Sequence, residues 1–400
     1  MKRIISSAGA WGYGPCATLV IIIKKLSIVY EIDFVGNGVA LEYAYMHKNL
    51  FKKIYKDIEE VKNEYDLAIS IIEPTILLWA DYYNIDSICV DNLYWLWDWN
   101  EDFLDKIDGG IFNIESINDI TLIRELTGKI TKYGDYSFMY SLPKKVFLQG
   151  FTSDIPDNLN RYRNNTELVE PILDISFKKK VKKDKILVSC SGMKNPYVSG
   201  EDIIIYIKLI KELFKDVIND NFIFAIPEEY IEISKEILEY ENIYCFTHGE
   251  MLEKINEAVI LFAPAGMATM FESIAYNTMF YTLPEQHDGN YSNYKTFCDT
   301  CSYLSGCDIK KNFPQLMLGS RINEAQHYAI DEFYKYYSRI LRGENKSLIN
   351  ILKEDINKFF KQEKFYEKID QYTLEQEKSA IKLNGQYQGV NQIITFVETL

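Results

Sequence analysis

In the first half of the chain, short unbroken apolar runs alternate with longer segments of helical period, the pattern of strands alternating with helices. Residues 3–7 form a β-like run, followed by a glycine-rich turn and an apolar segment, 15–26, whose proline stands at a helix-starting position. Further strands are expected at 28–35, 67–72 and 87–90, with an amphipathic helix at 50–64 and a helix at 75–83. This alternation predicts a mostly parallel sheet covered by helices on both faces. After an aromatic and helical stretch the strand pattern returns at 146–148. Residues 152–171, rich in Asn, Asp and Pro and without apolar period, then read as a domain boundary.

The pattern restarts beyond a lysine run at 178–185, which carries no interleaved aromatics and reads as a solvated face rather than a nucleic-acid patch. Strands are expected at 186–190, 222–226, 243–246, 259–263 and 279–283, and helices at 201–213, 230–240, 250–257 and 268–276. From 323 onward the chain is polar, amphipathic and helical. Two successive α/β units predict twin doubly wound domains facing a cleft, at 1–165 and 180–330, with bridging helices over 331–400.

Composition narrows the chemistry. A length of 400 residues is ample for two domains, and a net charge of −14 makes nucleic acid a poor partner. The seven cysteines are odd in number and mostly set in apolar runs, which fits a reducing cytoplasm. Gly9, Gly12, Gly14 and Pro15 interrupt any hydrophobic helix near the start, so the opening residues are not read as a secretory signal. Apolar stretches elsewhere are too short or too broken to span a bilayer, which leaves peripheral membrane contact at most.

The richest stretch is 263–272, Ala-Pro-Ala-Gly-Met-Ala-Thr-Met-Phe-Glu, followed at 283–288 by Leu-Pro-Glu-Gln-His-Asp. A strand ending in a small-residue turn lets the amides of the next helix approach a diphosphate, here from Gly266, Met267 and Ala268. Thr269 adds a hydroxyl on the first helical turn. One turn further on, Glu272 is placed to accept hydrogen bonds from a ribose diol. Glu285 and Gln286 end the following strand, where a carboxylate and an amide can hold sugar hydroxyls.

This arrangement resembles the donor half of the GT-B nucleotide-sugar glycosyltransferases, in particular the macrolide-glycosyltransferase-like and MurG-like branch. Those enzymes carry a Gly-Gly-x-x-Thr-x-x-Glu turn and helix, with Ala265 here in place of the first glycine. Ser191, Gly192 and Met193 resemble the family's glycine-rich phosphate loop, and Phe246 and Thr247 stand where its base-contacting loop lies. The resemblance implies a GT-B-like α/β fold of two Rossmann-type domains, acceptor side first. It also implies transfer of a sugar from a nucleoside diphosphate, UDP by family preference, to a small-molecule, peptide or lipid-linked acceptor, with no further cofactor.

One departure keeps the chemistry open. The loop Gly12-Tyr13-Gly14-Pro15 matches a family loop that often carries a basic histidine, and Tyr13 is a poor base because an unperturbed phenol ionises near pH 10. Asp91, the preferred substitute, and Glu73 each follow a predicted strand end, where a helix cap or structural carboxylate is the commoner role. A nucleotide-sugar epimerase or hydrolase, or a non-catalytic binding subunit, therefore stands beside the transferase. Trp95 and Trp97, with Tyr13, suit an acceptor or a buried aromatic cluster. His287, Cys298, Cys301 and Cys307 have the residue types of a zinc set but not its spacing, and no metal is expected.

Overall fold

A computed structural model of the chain describes every residue except 1, 11, 95–119, 134–136, 151–153, 191–192, 194–197, 300, 302–322, 345, 362–364 and 384–385. The chain divides into two compact units, the first made chiefly of Met1–Leu173 and Gln386–Leu400, the second of Asp174–Ser320 and Ala325–Gly385.

The first unit runs β1 (Arg3–Ala8), α1 (Tyr13–Leu26), β2 (Glu31–Val35), α2 (Gly38–Met46), β3 (Ile54–Tyr55), β4 (Leu67–Ile71), α3 (Pro74–Tyr82), β5 (Asp86–Asp91), α4 (Ile120–Tyr133), β6 (Lys145–Gln149) and β7 (Thr166–Val169). Its strands are parallel, in the order β3-β2-β1-β4-β5-β6-β7. Every residue of Leu67–Ile71 is buried, as a parallel strand covered on both faces requires. Asp33 on β2 is also buried, and it is satisfied by Arg3, the Tyr65 hydroxyl and the Lys53 amide.

One expectation for this unit fails on local grounds. The helix expected at 50–64 is instead a pair of short 3-10 turns flanking β3. Phe51, Ile58, Val61 and Tyr65 are buried at helix-like spacing, but hydrogen bonds from Phe34 to Lys53 and from Lys53 to Asp33 pin the segment to the sheet edge. The helix between β2 and β3 is α2, which starts at Gly38 with φ at +50°, a region that glycine tolerates. β7 lies inside the stretch that reads as a boundary.

The second unit runs β8 (Lys185–Ser189), α5 (Gly200–Phe214), β9 (Phe222–Ala225), α6 (Ile231–Leu238), β10 (Ile243–Tyr244), α7 (His248–Glu257), β11 (Ala258–Ala263), α8 (Met267–Ala275), β12 (Met279–Thr282), α9 (Asp288–Cys298), α10 (Asn323–Leu341), α11 (Lys346–Phe360) and α12 (Phe365–Lys382). Its parallel sheet has the order β10-β9-β8-β11-β12. The edge strand β12 is closed by a side chain: the buried Gln376 amide accepts from the Phe280 N–H and donates to the Phe280 carbonyl. The lysine run is partly structural, with Lys178 donating to the Ala275 carbonyl and Lys183 to the Ala258 carbonyl and the Thr278 hydroxyl.

The segment 331–400 is divided between the units. α10 to α12 belong to the second, whereas α13 (Gly389–Val397) packs on α1 and β7 in the first. That cover explains why α1 is apolar nearly all round, with Pro15 through Ile23 and Leu26 buried. No helix among the described residues is long and apolar enough to cross a membrane.

Candidate functional site

In the second unit the strand order reverses direction between β8 and β11, so the loops leaving their carboxyl ends diverge and open a crevice. Ser191 and Gly192 of the β8 loop lie outside the described residues, and Met193 is buried with its N–H on the Cys190 carbonyl at 3.1 Å. On the other flank, Gly266 caps α8 with ordinary backbone angles, and no side-chain cap hydrogen bond forms at the helix start among the described residues. A Cβ at Gly266 would stand 3.5 Å from Thr269 Oγ1, an ordinary contact. The fold itself therefore does not demand glycine there. What its hydrogen preserves is open space above amides that carry the positive end of the helix dipole, where an anion is favoured.

Met267 is buried, while Ala268 and Thr269 are half-buried at the turn. Glu272 follows one turn on, buried, with Oε1 2.7 Å from Nε2 of His248 on α7. Thr247 turns out to cap α7: its hydroxyl and N–H engage Glu250, holding that carboxyl below its usual range. Phe246 stacks on the exposed Tyr244 at 5.7 Å between ring centres, leaving an aromatic pair at the end of β10.

The peptide after β12 is held from behind by two tyrosines. The Tyr206 hydroxyl donates to the Pro284 carbonyl and the Tyr337 hydroxyl to the Glu285 carbonyl, each at 2.6 Å. Glu285 and Gln286 are both buried. α9 folds back over this peptide and adds two residues that the motif reading does not contain. Asn290 accepts from the Gln286 N–H, and Asn293 donates to the Ala265 carbonyl at 2.9 Å, tying α9 to the turn before α8. Gln286 Nε2 and Asn293 Oδ1 are buried with no hydrogen-bond partner among the described residues. Each such group costs about 1–3 kcal/mol unless water or a ligand meets it.

His287 keeps part of its surface open, yet desolvation pushes its imidazole down to about 4. Cys298 is half-buried and Cys301 buried, and Cys307 lies outside the described residues. Among the described residues no three His, Cys, Asp or Glu side chains form a cluster able to hold a metal.

The first unit has its own reversal point, between β1 and β4. The loop after β1 is fixed there by the Gly9 N–H on the Ile71 carbonyl, and Tyr13 opens α1 with its ring 5.5 Å from that of Tyr43. Glu73, two residues past the end of β4, caps α3 through Oε1, which accepts from the Thr75 N–H and hydroxyl. Burial raises its carboxyl above the usual range, partly offset by those hydrogen bonds. Asp91 ends β5, one strand further from the reversal, and is fully buried. Its oxygens accept from the Leu93 N–H at 2.7 Å and the Tyr140 hydroxyl at 2.8 Å. Trp95 and Trp97 lie outside the described residues.

Solved structures match the fold along the whole chain. MurG of Acinetobacter baumannii aligns over 100% of both chains with a TM-score of 0.51 and 10% identity. UGT2 of Phytolacca americana, complexed with UDP-2fluoro-glucose and pterostilbene, aligns over 99% of both with a TM-score of 0.52 and 10% identity. The chain has the GT-B fold. The spinosyn rhamnosyltransferase SpnG, complexed with thymidine diphosphate, aligns over 99% of this chain and 100% of its own, with a TM-score of 0.51 and 8% identity. No protein-family model matches the sequence, and no curated protein is similar to it.

Proposed function

We propose that the chain is a glycosyltransferase that moves a sugar from a nucleoside diphosphate, UDP by preference, to a nucleophile on a small-molecule, peptide or lipid-linked acceptor. The observation that supports this most is the crevice beside β11. There a helix start left open by Gly266, a buried carboxylate at Glu272 and buried carboxamides with unspent hydrogen-bonding capacity border one strand-end loop system. The amides of Met267, Ala268 and Thr269 would receive the diphosphate and its developing charge as the sugar leaves. Glu272 would hold the ribose, Phe246 would border the base, and Glu285 and Gln286, with Asn290 and Asn293, would hold the sugar.

Inverting transfer needs the acceptor proton removed as the nucleophile attacks. With Tyr13 where the resembled family carries its histidine, we assign that step to Glu73 rather than Asp91. Glu73 sits at the strand-order reversal, burial raises its carboxyl above the usual range, and Thr75 engages only Oε1. Asp91 holds a main-chain amide and a buried tyrosine instead, the work of a structural carboxylate.

The full chain incubated with UDP-, TDP- and GDP-sugars, with and without an acceptor panel, tests the assignment. Acceptor-dependent release of nucleoside diphosphate is expected. Release at the same rate without acceptor would make it a hydrolase, and binding with no turnover across the panel would make it a non-catalytic subunit.

A further inference from the structure

Glu272 is a long side chain on a helix, and burial takes its carboxylate out of water. A buried carboxylate left to choose among rotamers would present its oxygens to a ligand only part of the time, and an entropic cost would fall on each binding event. Here the choice is made in advance. Oε1 lies 2.7 Å from Nε2 of His248, and the two side chains are 7% and 11% exposed. Beside a carboxylate, whose oxygens accept, Nε2 has the position of a hydrogen-bond donor. The direction of His248 is itself set by the backbone: it is the first residue of α7, immediately after Thr247, and the reciprocal Thr247–Glu250 capping box locks that turn. The pair spans two neighbouring helices and 24 residues of sequence.

We propose that His248 is a positioning residue of the nucleoside subsite: its hydrogen bond to Oε1 holds Glu272 in the rotamer that turns Oε2 to the ribose hydroxyls. The proposal rests on the reading of Glu272 as the ribose ligand. His248 touches no reacting atom in this scheme. Its effect is confined to nucleotides that carry the hydroxyls Glu272 reads, and it vanishes when Glu272 is removed. A role in holding α7 to α8 would instead weaken binding of every nucleotide alike.

The test is calorimetric titration of the full chain with UDP, TDP and GDP, and then with the tightest of these stripped of its ribose hydroxyls. His248→Ala should weaken the hydroxylated nucleotide about three- to tenfold, the range for a single hydrogen bond that acts through another group. Affinity for the hydroxyl-free analogue should not change. His248→Gln, whose amide nitrogen reaches to the position of Nε2, should restore most of the loss and also guards against a misfolded alanine variant. In a Glu272→Ala background, His248→Ala should add nothing. Equal losses for both nucleotides, or none for either while Glu272→Ala still weakens binding, would overturn the role of His248 and leave the ribose reading intact. If Glu272→Ala binds as well as the parent, or no nucleotide binds, the ribose reading has failed and the inference falls with it.

Discussion

Replacing Gly389 with alanine should detach the last helix of the chain from the first unit. A Cβ there would stand 1.9 Å from the Glu170 carbonyl oxygen, 2.9 Å from its carbon and 3.0 Å from Ile172 Cγ1, so two of the three obstacles are main chain. Relief to an ordinary contact requires α13 to retreat by about 1.5 Å. That displacement breaks two hydrogen bonds at the helix start, from the Glu170 N–H to Gln392 at 2.9 Å and from the Gln388 N–H to the Glu170 carboxylate at 2.7 Å. It also lifts the buried Val390, Ile393 and Val397 away from α1 and the sheet. Overpacking costs about 1–3 kcal/mol and each lost hydrogen bond about 0.5–1.5, which puts the destabilisation at about 2–4 kcal/mol after allowance for partial exposure. Urea unfolding followed by circular dichroism reads this as a lowered midpoint for the first unit. Gly14→Ala is the control, since nothing lies within 4 Å of its Cβ position. A midpoint for Gly389→Ala equal to that of the control would refute the packing argument.

His287, depressed to about 4 from an ordinary 6.5, binds fewer protons in the folded chain than in the unfolded one between those values. Its contribution is therefore complete above pH 6.5 and is lost as the pH falls toward 4; His287→Gln should remove that part of the acid slope in urea titrations run across this range. Glu73→Gln should cut transfer by about 10²–10⁴-fold with donor affinity unchanged, whereas Asp91→Asn should act on stability more than on rate. Equal turnover by Glu73→Gln and the parent would remove Glu73 from the chemistry. Gln286→Ala and Asn293→Ala should erode discrimination among sugars in competition assays while leaving the bare diphosphate bound, and loss of diphosphate binding would move both out of the sugar subsite.

The central strands were the most legible part of the fold, because they are buried on two faces and so appear as apolar runs such as Leu67–Ile71 and Ala258–Ala263. Segment 50–64 misleads because buried side chains reached from turns can repeat at a helical interval. β7 escapes notice because Thr166–Val169 is short and half polar, and its role comes from pairing with β6. The site divides in the same way. Gly266, Thr269 and Glu272 lie on one turn and one helix, so their spacing is visible in the sequence. His248 meets Glu272 across two helices, and Asn290 and Asn293 matter only once α9 has folded back onto the turn at Ala265. Contacts of that kind have no sequence period to announce them.

Binding of a nucleoside diphosphate at the β11–α8 turn is read by amide hydrogen exchange with and without a saturating UDP-, TDP- or GDP-sugar. Peptides covering 264–272 and 284–293 should slow, because the backbone amides opening α8 gain acceptors and a ligand held by the buried carboxamides suppresses local opening of the second segment. Slowed exchange confined to other segments, or none with any donor at saturation, would contradict the account.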